Sequence, residues 1–346
     1  MKILIVKLGA IGDVVHTLPT LAAIRRHLPD ARIGWAVEEK SASILRGNAL
    51  IDDLIELDTR SMRDGPIDNL LIAAGRQIGI LRNFEFDVAI DFQGLFKSAA
   101  LTKFSRSTRT VGFSKSALRE PGSRFLLSET VDVEAGIHVI DKNLSLASGA
   151  LGIDLSDGPV EFPIATEDLN RIEAQNVAEL AGGPFAIINP AGGWPTKLWD
   201  AAKFGRLADR LSEEFGLRSV ITTAPGESDL AMRTLEAAKI PEMIVTAEPT
   251  LKGFYELAKL ARIYVGGDTG PTHIAVAAAC PVVGIFGPTE WWRNGSPRKD
   301  DICVERRDIS CRIDCHRRSC DKWICMDIDV ETVAGAVRRR LEAARG

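Results

Sequence analysis

Apolar residues gather in short runs separated by segments of helical period, and this alternation continues along the whole chain. The first run, Met1 to Val6, is nearly continuous, as in a strand buried on both faces. Strands are predicted at Ile3–Leu8, Ile33–Val37, Leu54–Leu57, Val88–Phe92 and Thr110–Phe113, with helices over Val14–His27 and Ile67–Asn83. Turn residues from Ser156 to Pro163 then interrupt the pattern. A new helix, Glu167–Leu180, opens a second series of strands at Phe185–Ile188, Ser219–Thr223, Met243–Thr246, Ile263–Val265 and Val282–Phe286. A last helical pattern covers Val330–Ala344. Such alternation predicts an α/β fold of two doubly wound, Rossmann-like domains, residues 1–160 and 161–346, whose strand ends face a shared cleft.

Length supports two domains, since 346 residues exceed one ordinary core. Hydrophobic residues make up 45% and charged residues 26%, the balance of a globular protein. No apolar run approaches the ~20 residues of a transmembrane helix. The chain opens directly on a strand, without the layout of a secretory signal, so a cytoplasmic protein is expected. A net charge of −4 argues against general nucleic-acid binding. The charge is uneven, however: eleven Lys or Arg face six Asp or Glu between Arg60 and Arg124. That local excess suits an anionic substrate or an anionic membrane surface.

Candidate chemistry lies at the turns. Gly266-Gly267-Asp268-Thr269-Gly270-Pro271-Thr272-His273 joins an apolar strand to a helix of small residues. Such a turn aims unpaired N–H groups and the positive helix end at one point, which suits a diphosphate. The plainer reading makes Asp268 or Thr269 a helix cap. Near the other end, Lys7-Leu8-Gly9-Ala10-Ile11-Gly12-Asp13 follows the first strand. Its Gly-x-x-Gly spacing departs from the dinucleotide fingerprint, and Glu38-Glu39 are the nearest approach to the acidic residue that fingerprint needs. Asp13 is thus either a carboxylate held on a glycine-framed turn or a helix cap. Three more segments carry polar groups at strand ends: Asn189 to Gly193 with Lys197, Ala224 to Glu227, and Asp91 to Ser98. Glu227 suits a ribose or the dipole of the helix it begins.

Five motifs occur in one order: the Lys7–Asp13 turn, Gln93-Gly94-Leu95-x-Lys97-Ser98, Arg119-Glu120-Pro121, Lys197-x-Trp199 and Asp268-Thr269-Gly270-x-x-His273. Together they resemble glycosyltransferase family 9, the bacterial ADP-heptose:lipopolysaccharide heptosyltransferases, and most of all the heptosyltransferase I branch. The resemblance implies a GT-B fold, with acceptor on the first domain, nucleotide sugar on the second, and a final helix that returns to the first. It implies inverting transfer of heptose from ADP-L-glycero-D-manno-heptose to the Kdo region of a lipid A acceptor, at the inner face of the inner membrane. Asp13 would be the general base and Lys197 would stabilise the departing ADP. Gly192, Gly193, Lys197, Glu227, Asp268, Thr269, Gly270 and His273 would hold the donor. Lys7, Gly12, Gln93, Lys97 and Arg119 would hold acceptor carboxylates or phosphates, Arg119 through its bidentate guanidinium. No cofactor or metal is implied.

Cys303, Cys311, Cys315, Cys320 and Cys325, with His316 among them, crowd one segment at a spacing unlike a standard zinc knuckle. Free thiols in an ordered loop are expected there, with a structural metal as the alternative; Cys280 reads as core. Similar cysteine loops accompany heptosyltransferase II-like branches, so a later heptose is the alternative acceptor. Two other classes fit parts of the chain: a GT-B nucleotide-sugar epimerase, against which the basic surface argues, and a non-catalytic nucleotide-sugar binder.

Overall fold

Each apolar run becomes a strand in one of two parallel six-stranded sheets of the computed structural model. The structure describes residues 1–58, 67–311, 315 and 317–344, so Arg60, Arg63, Asp64 and His316 lie outside the described residues. Two units divide the chain, Met1–Ala165 and Thr166–Gly346.

In the first unit the elements are β1 (Lys2–Val6), α1 (Ile11–Val15), α2 (Leu18–His27), β2 (Arg32–Glu38), α3 (Glu39–Ala42) and β3 (Asp53–Leu57). Then come α4 (Ile67–Arg82), β4 (Val88–Asp91), α5 (Phe96–Phe104), β5 (Arg109–Phe113), β6 (Glu129–Val131) and α6 (Val139–Leu151). The strand order is β3-β2-β1-β4-β5-β6. Leu4, Val6, Ala36, Ile55, Leu57 and Ala89 pack a core with Leu81, Phe86 and Leu101.

The second unit begins with α7 (Asp168–Ala181), β7 (Phe185–Asn189), α8 (Ala201–Phe215), β8 (Arg218–Thr222), α9 (Ser228–Glu236) and β9 (Ile244–Ala247). It continues with α10 (Leu251–Leu260), β10 (Ile263–Gly267), α11 (Gly270–Ala277), β11 (Val282–Phe286), α12 (Trp291–Asn294), β12 (Ile302–Glu305) and α13 (Val330–Ala343). Its order, β12-β11-β10-β7-β8-β9, repeats the first when read from β9. In each sheet the strand order therefore reverses beside the unit's first strand, between β1 and β4 and between β7 and β10. A doubly wound sheet opens its ligand crevice at that place.

The structure corrects two expectations. The predicted helix over Val14–His27 is two helices, with Thr17 before Leu18 and Pro19 in the first turn of the second. Proline has no N–H to continue the α1 ladder, but it suits a helix start. Strands β6 and β12 were not anticipated; both are edge strands that lack a long apolar run. Helix α13 packs on α8, β11 and β12 of its own unit. Among the described residues no helix is long and apolar enough to cross a membrane.

Candidate active site

At the crevice of the first sheet, the segments after β1 and β4 meet. Buried Trp35 donates its indole N–H to Lys7 O at 3.2 Å, fixing the chain where β1 ends. The Lys7 ammonium is buried, donates to Phe92 O at 2.9 Å and lies 4.0 Å from Asp13 Oδ2. Asp13 is the third residue of α1, and Ala10 holds the N-cap position, so Asp13 is not the cap of this helix. Its side chain stays 44% exposed. Gln93 clasps the turn: its Oε1 accepts from Leu8 N at 3.2 Å and Gly9 N at 3.3 Å. Its Nε2 donates to Asp13 Oδ2 at 3.4 Å. A carboxylate with amide and ammonium on one flank and an open face on the other can accept a proton from a bound hydroxyl.

Asp91, the last residue of β4, holds Gln93 in place. Its Oδ1 accepts from Gln93 N at 2.9 Å and Gly94 N at 3.2 Å, and its Oδ2 from the Ser98 hydroxyl at 3.0 Å. The turn needs a left-handed residue, and Gly94 supplies it at φ 69°. Burial pushes the Asp91 carboxyl up to about 6, although those hydrogen bonds and the Lys7 charge pull the other way. Gly12 is buried within α1. Lys97 donates to Glu38 Oε1 at 2.5 Å, and Lys40 lies 3.0 Å from Glu38 Oε2. The carboxylate that ends β2 is thus bound to two lysines rather than presented to a ribose. Arg119 is exposed, and neighbouring Glu120 accepts from Phe96 N at 2.7 Å.

Asp268 organises the matching crevice of the second sheet. It is 5% exposed and immediately follows β10. Lys197, from the loop after β7, donates to Asp268 O at 3.2 Å and Oδ2 at 2.5 Å. Thr289 donates to Oδ2 at 2.6 Å, Asn294 to Oδ1 at 2.8 Å, and His273 Nε2 lies 3.4 Å from Oδ1. Burial alone would raise this carboxyl; the His273 hydrogen bond and the Lys197 charge outweigh it and hold it well below the usual carboxylate range. The Lys197 ammonium also sits 3.8 Å from the centre of the Trp194 ring.

Thr269 precedes α11 without a side-chain cap, and Gly270 is the first helical residue. The first-turn N–H groups there have no intrahelical partners. Gly192 and Gly193 lie in the loop after β7, Gly193 exposed. Glu227 precedes α9 and closes its own turn, accepting from Ala224 N at 2.9 Å. Beside it a cleft of about 340 Å³ opens at the ends of β8 and β9, lined by Thr223, Ser228, Met232, Leu235, Thr246 and Glu248 among others.

The structure therefore brings Lys7, Gly12, Asp13 and Gln93 together, and separately Lys197, Asp268, Thr269, Gly270 and His273. Lys97 is turned to Glu38. Sequence reading placed Asp91 in a candidate segment without giving it a role, and did not single out Trp194, Thr289 or Asn294. A charge inside the apolar Val88–Phe92 run was a usable signal for Asp91. Thr289 and Asn294 reach Asp268 from 21 and 26 positions away, and no spacing rule marks them.

In the cysteine segment, Cys320 Sγ accepts from Trp323 N at 3.3 Å. Burial raises the Cys325 thiol, with Cys311, Cys320 and Cys315 adding to the effect. Among the described residues no three His, Cys, Asp or Glu side chains converge as they would around a metal. Cys280 is core, and burial pushes its thiol up to about 12.

With that geometry in place, comparison with known proteins defines the class. The sequence profile of glycosyltransferase family 9 (heptosyltransferase) matches residues 76–324. The chain belongs to this family. It is 28% identical over 321 residues to lipopolysaccharide heptosyltransferase 1 of Pseudomonas aeruginosa, covering 92% of this chain and 87% of the relative. It is 28% identical over 293 residues to lipopolysaccharide heptosyltransferase 1 of Escherichia coli, covering 84% of this chain and 89% of the relative. Among solved structures, E. coli heptosyltransferase WaaC with ADP has a TM-score of 0.76 at 22% identity, over 99% of both chains. The fold is accordingly GT-B.

Proposed function

We propose that this enzyme is an inverting heptosyltransferase of the heptosyltransferase I type, moving heptose from ADP-heptose to the Kdo region of a lipid A acceptor. It would work peripherally, at the cytoplasmic face of the inner membrane. The observation that carries the reading is Asp13: a half-exposed carboxylate, 4.0 Å from Lys7 and clasped by Gln93, at the crevice of the first sheet of a family 9 chain. Solved heptosyltransferase WaaC structures with ADP and with an ADP-heptose analogue support the donor, and the names of relatives support heptose transfer to lipopolysaccharide.

In this reading Asp13 takes the proton of the acceptor hydroxyl as that oxygen attacks the anomeric carbon. The carbon–oxygen bond to ADP breaks in the same displacement, so the configuration inverts. Such base catalysis contributes ~10²–10⁴-fold. Charge developing on the departing diphosphate meets the α11 amide groups and the Gly192-Gly193 loop. Lys197 spends two ammonium hydrogens on Asp268, which leaves the third for a diphosphate oxygen. The cleft beside Glu227 suits the nucleoside. Arg119, exposed and able to bind bidentately, takes an acceptor carboxylate.

The test pairs ADP-heptose with Kdo-bearing and with heptose-bearing lipid A. Transfer to the first alone is expected; transfer to the second alone reassigns the acceptor, and turnover of the donor without either replaces the reading with an epimerase. Asp13→Asn should bind donor as the parent does and transfer at least ~100-fold more slowly. Near-normal transfer by that variant would move the base elsewhere.

A further inference from the structure

Two of the most exposed large apolar side chains in the first unit lie on elements that pack together. Phe96, the first residue of α5, is 51% exposed, and Phe125 is 74% exposed. Phe125 lies on a short 3₁₀ helix, Pro121–Leu126, which packs on α5. The Phe96 ring reaches Gly122 so closely that a Cβ there would stand 2.7 Å from Cζ. On a 3₁₀ helix residues i and i+3 eclipse, so Phe125 shares the Gly122 side of its helix and continues the surface that Phe96 begins. The Arg124 guanidinium lies 4.5 Å from the centre of the Phe125 ring.

Cations frame this face. Lys115 and Arg119 are exposed on the preceding turns, and exposed Lys103 follows Phe96 by seven residues, on the same side of α5. From Phe96 to Leu126 the chain carries seven Lys or Arg and one carboxylate, Glu120, which is turned onto Phe96 N. Paired rings beside cations match an interfacial lipid site: the rings enter the headgroup boundary, while long cationic side chains meet anionic headgroups. A second copy of this chain suits the face poorly, since an isologous contact would set the same cations against each other.

We infer that the Phe96–Phe125 face, framed by Lys103, Lys115, Arg119 and Arg124, docks the first unit onto an anionic bilayer. The inference deepens the reading of a lipid-borne acceptor, because it places the motif that begins at Arg119 at the lipid surface. It adds a contact made by the enzyme itself, independent of acceptor or donor.

The experiment sediments the full chain with vesicles of phosphatidylglycerol and phosphatidylcholine in equal parts, and with phosphatidylcholine alone, neither carrying acceptor. The parent should partition onto the anionic vesicles, in a salt-sensitive way, and weakly onto the neutral ones. Phe125→Ser, at so exposed a position, should melt with the parent and lose at least about tenfold in anionic-vesicle partition. Lys115→Glu should lose about tenfold on anionic vesicles alone. Both variants should keep the parent's thermal stabilisation by ADP. Equal partition of parent and Phe125→Ser, or no preference for anionic lipid, overturns the inference. So does a parent dimer that Phe125→Ser dissociates while vesicle binding stays unchanged. Vesicle binding that persists when ADP-heptose is not a donor leaves the docking surface standing and removes only the proposed reaction.

Discussion

Asp91 and Asp268 lie at corresponding strand ends in two sheets of the same strand order. Asp91 ends, and Asp268 immediately follows, the strand across the crevice from its unit's first strand, and each is almost fully buried. Their carboxyls are nevertheless driven in opposite directions, Asp91 up to about 6 and Asp268 well below the usual range. The fold position is constant, so the partners make the difference. Asp91 is held by two backbone N–H groups and a hydroxyl, while the nearby Lys7 ammonium is directed at Phe92 O. Asp268 receives an ammonium directly, together with Thr289, Asn294 and His273. Dipoles only partly replace water around a buried charge; a contacting cation does more. The first crevice thus carries a half-exposed carboxylate, Asp13, on a scaffold built by a titratable neighbour. The second crevice fixes a permanent ion pair beneath a helix start.

The largest expected effect breaks that ion pair. Lys197→Ala leaves Asp268 charged and buried without its cation, which costs about 3–5 kcal/mol. From the sequence alone Lys197 reads as a diphosphate ligand whose loss harms catalysis first; the buried pair makes it a stability residue as well. Chemical denaturation should show the loss without donor present. A variant with the parent's stability would mean that Asp268 is satisfied by Thr289, Asn294 and His273 alone.

Much of this contrast was legible beforehand. Apolar runs located β1 to β5 and β7 to β11, since buried parallel strands need continuous apolar residues. The glycine-rich turns after β1 and β10 marked both crevices. The strands that escaped, β6 and β12, sit at equivalent edges, where half-exposed sequences such as Glu129-Thr130-Val131 carry little pattern. On its own Asp13 read better as a cap, and only the family resemblance made it a base, because capping depends on a backbone turn that composition does not reveal. The structure gives the N-cap position to Ala10. Partner choice was the least legible: that Lys197 meets Asp268, and Lys97 meets Glu38, depends on loops brought together by the sheets.

The next effect separates the two carboxylates by pH. Asp91 titrates at about 6 in the folded chain against an ordinary 3.8, so between those values the native state keeps a proton that the unfolded state has released. Its contribution to stability is complete below about 3.8 and is lost as pH rises to about 6. At about 1.4 kcal/mol per pKa unit, the change is about 3 kcal/mol. Asp268 has the opposite sign: its contribution is complete above the ordinary carboxylate value and is lost only in stronger acid. Asp91→Asn mimics the protonated form. Its amide oxygen can accept from Gln93 N and Gly94 N, and its NH₂ can donate to Ser98 Oγ once that hydroxyl turns from position 91 to Leu95 O. Relative to the parent, the variant should gain about 3 kcal/mol between pH 4 and pH 7 in denaturation series. Parallel curves would show that Asp91 is charged throughout and that its hydrogen bonds suffice.

The smallest effect tests whether the scaffold reaches the chemistry. Asp91 fixes Gln93 N, and the Gln93 side chain fixes Leu8, Gly9 and Asp13. In the proposed mechanism Gln93 would therefore orient the base, a role distinct from the acceptor contact that the family resemblance implies. Gln93→Met keeps the length of the side chain but removes one weak hydrogen bond to Asp13 and two to the turn. A hydrogen bond of this kind contributes about 1 kcal/mol, so kcat should fall roughly fivefold. If Gln93 only orients the base, acceptor KM and donor affinity stay near the parent values, since the interaction lost is realised in the transition state. If it holds the acceptor, KM rises while kcat at saturation is kept. The comparison then sharpens: in the first crevice a buried carboxylate acts on catalysis through one glutamine, whereas in the second the buried carboxylate binds its lysine directly.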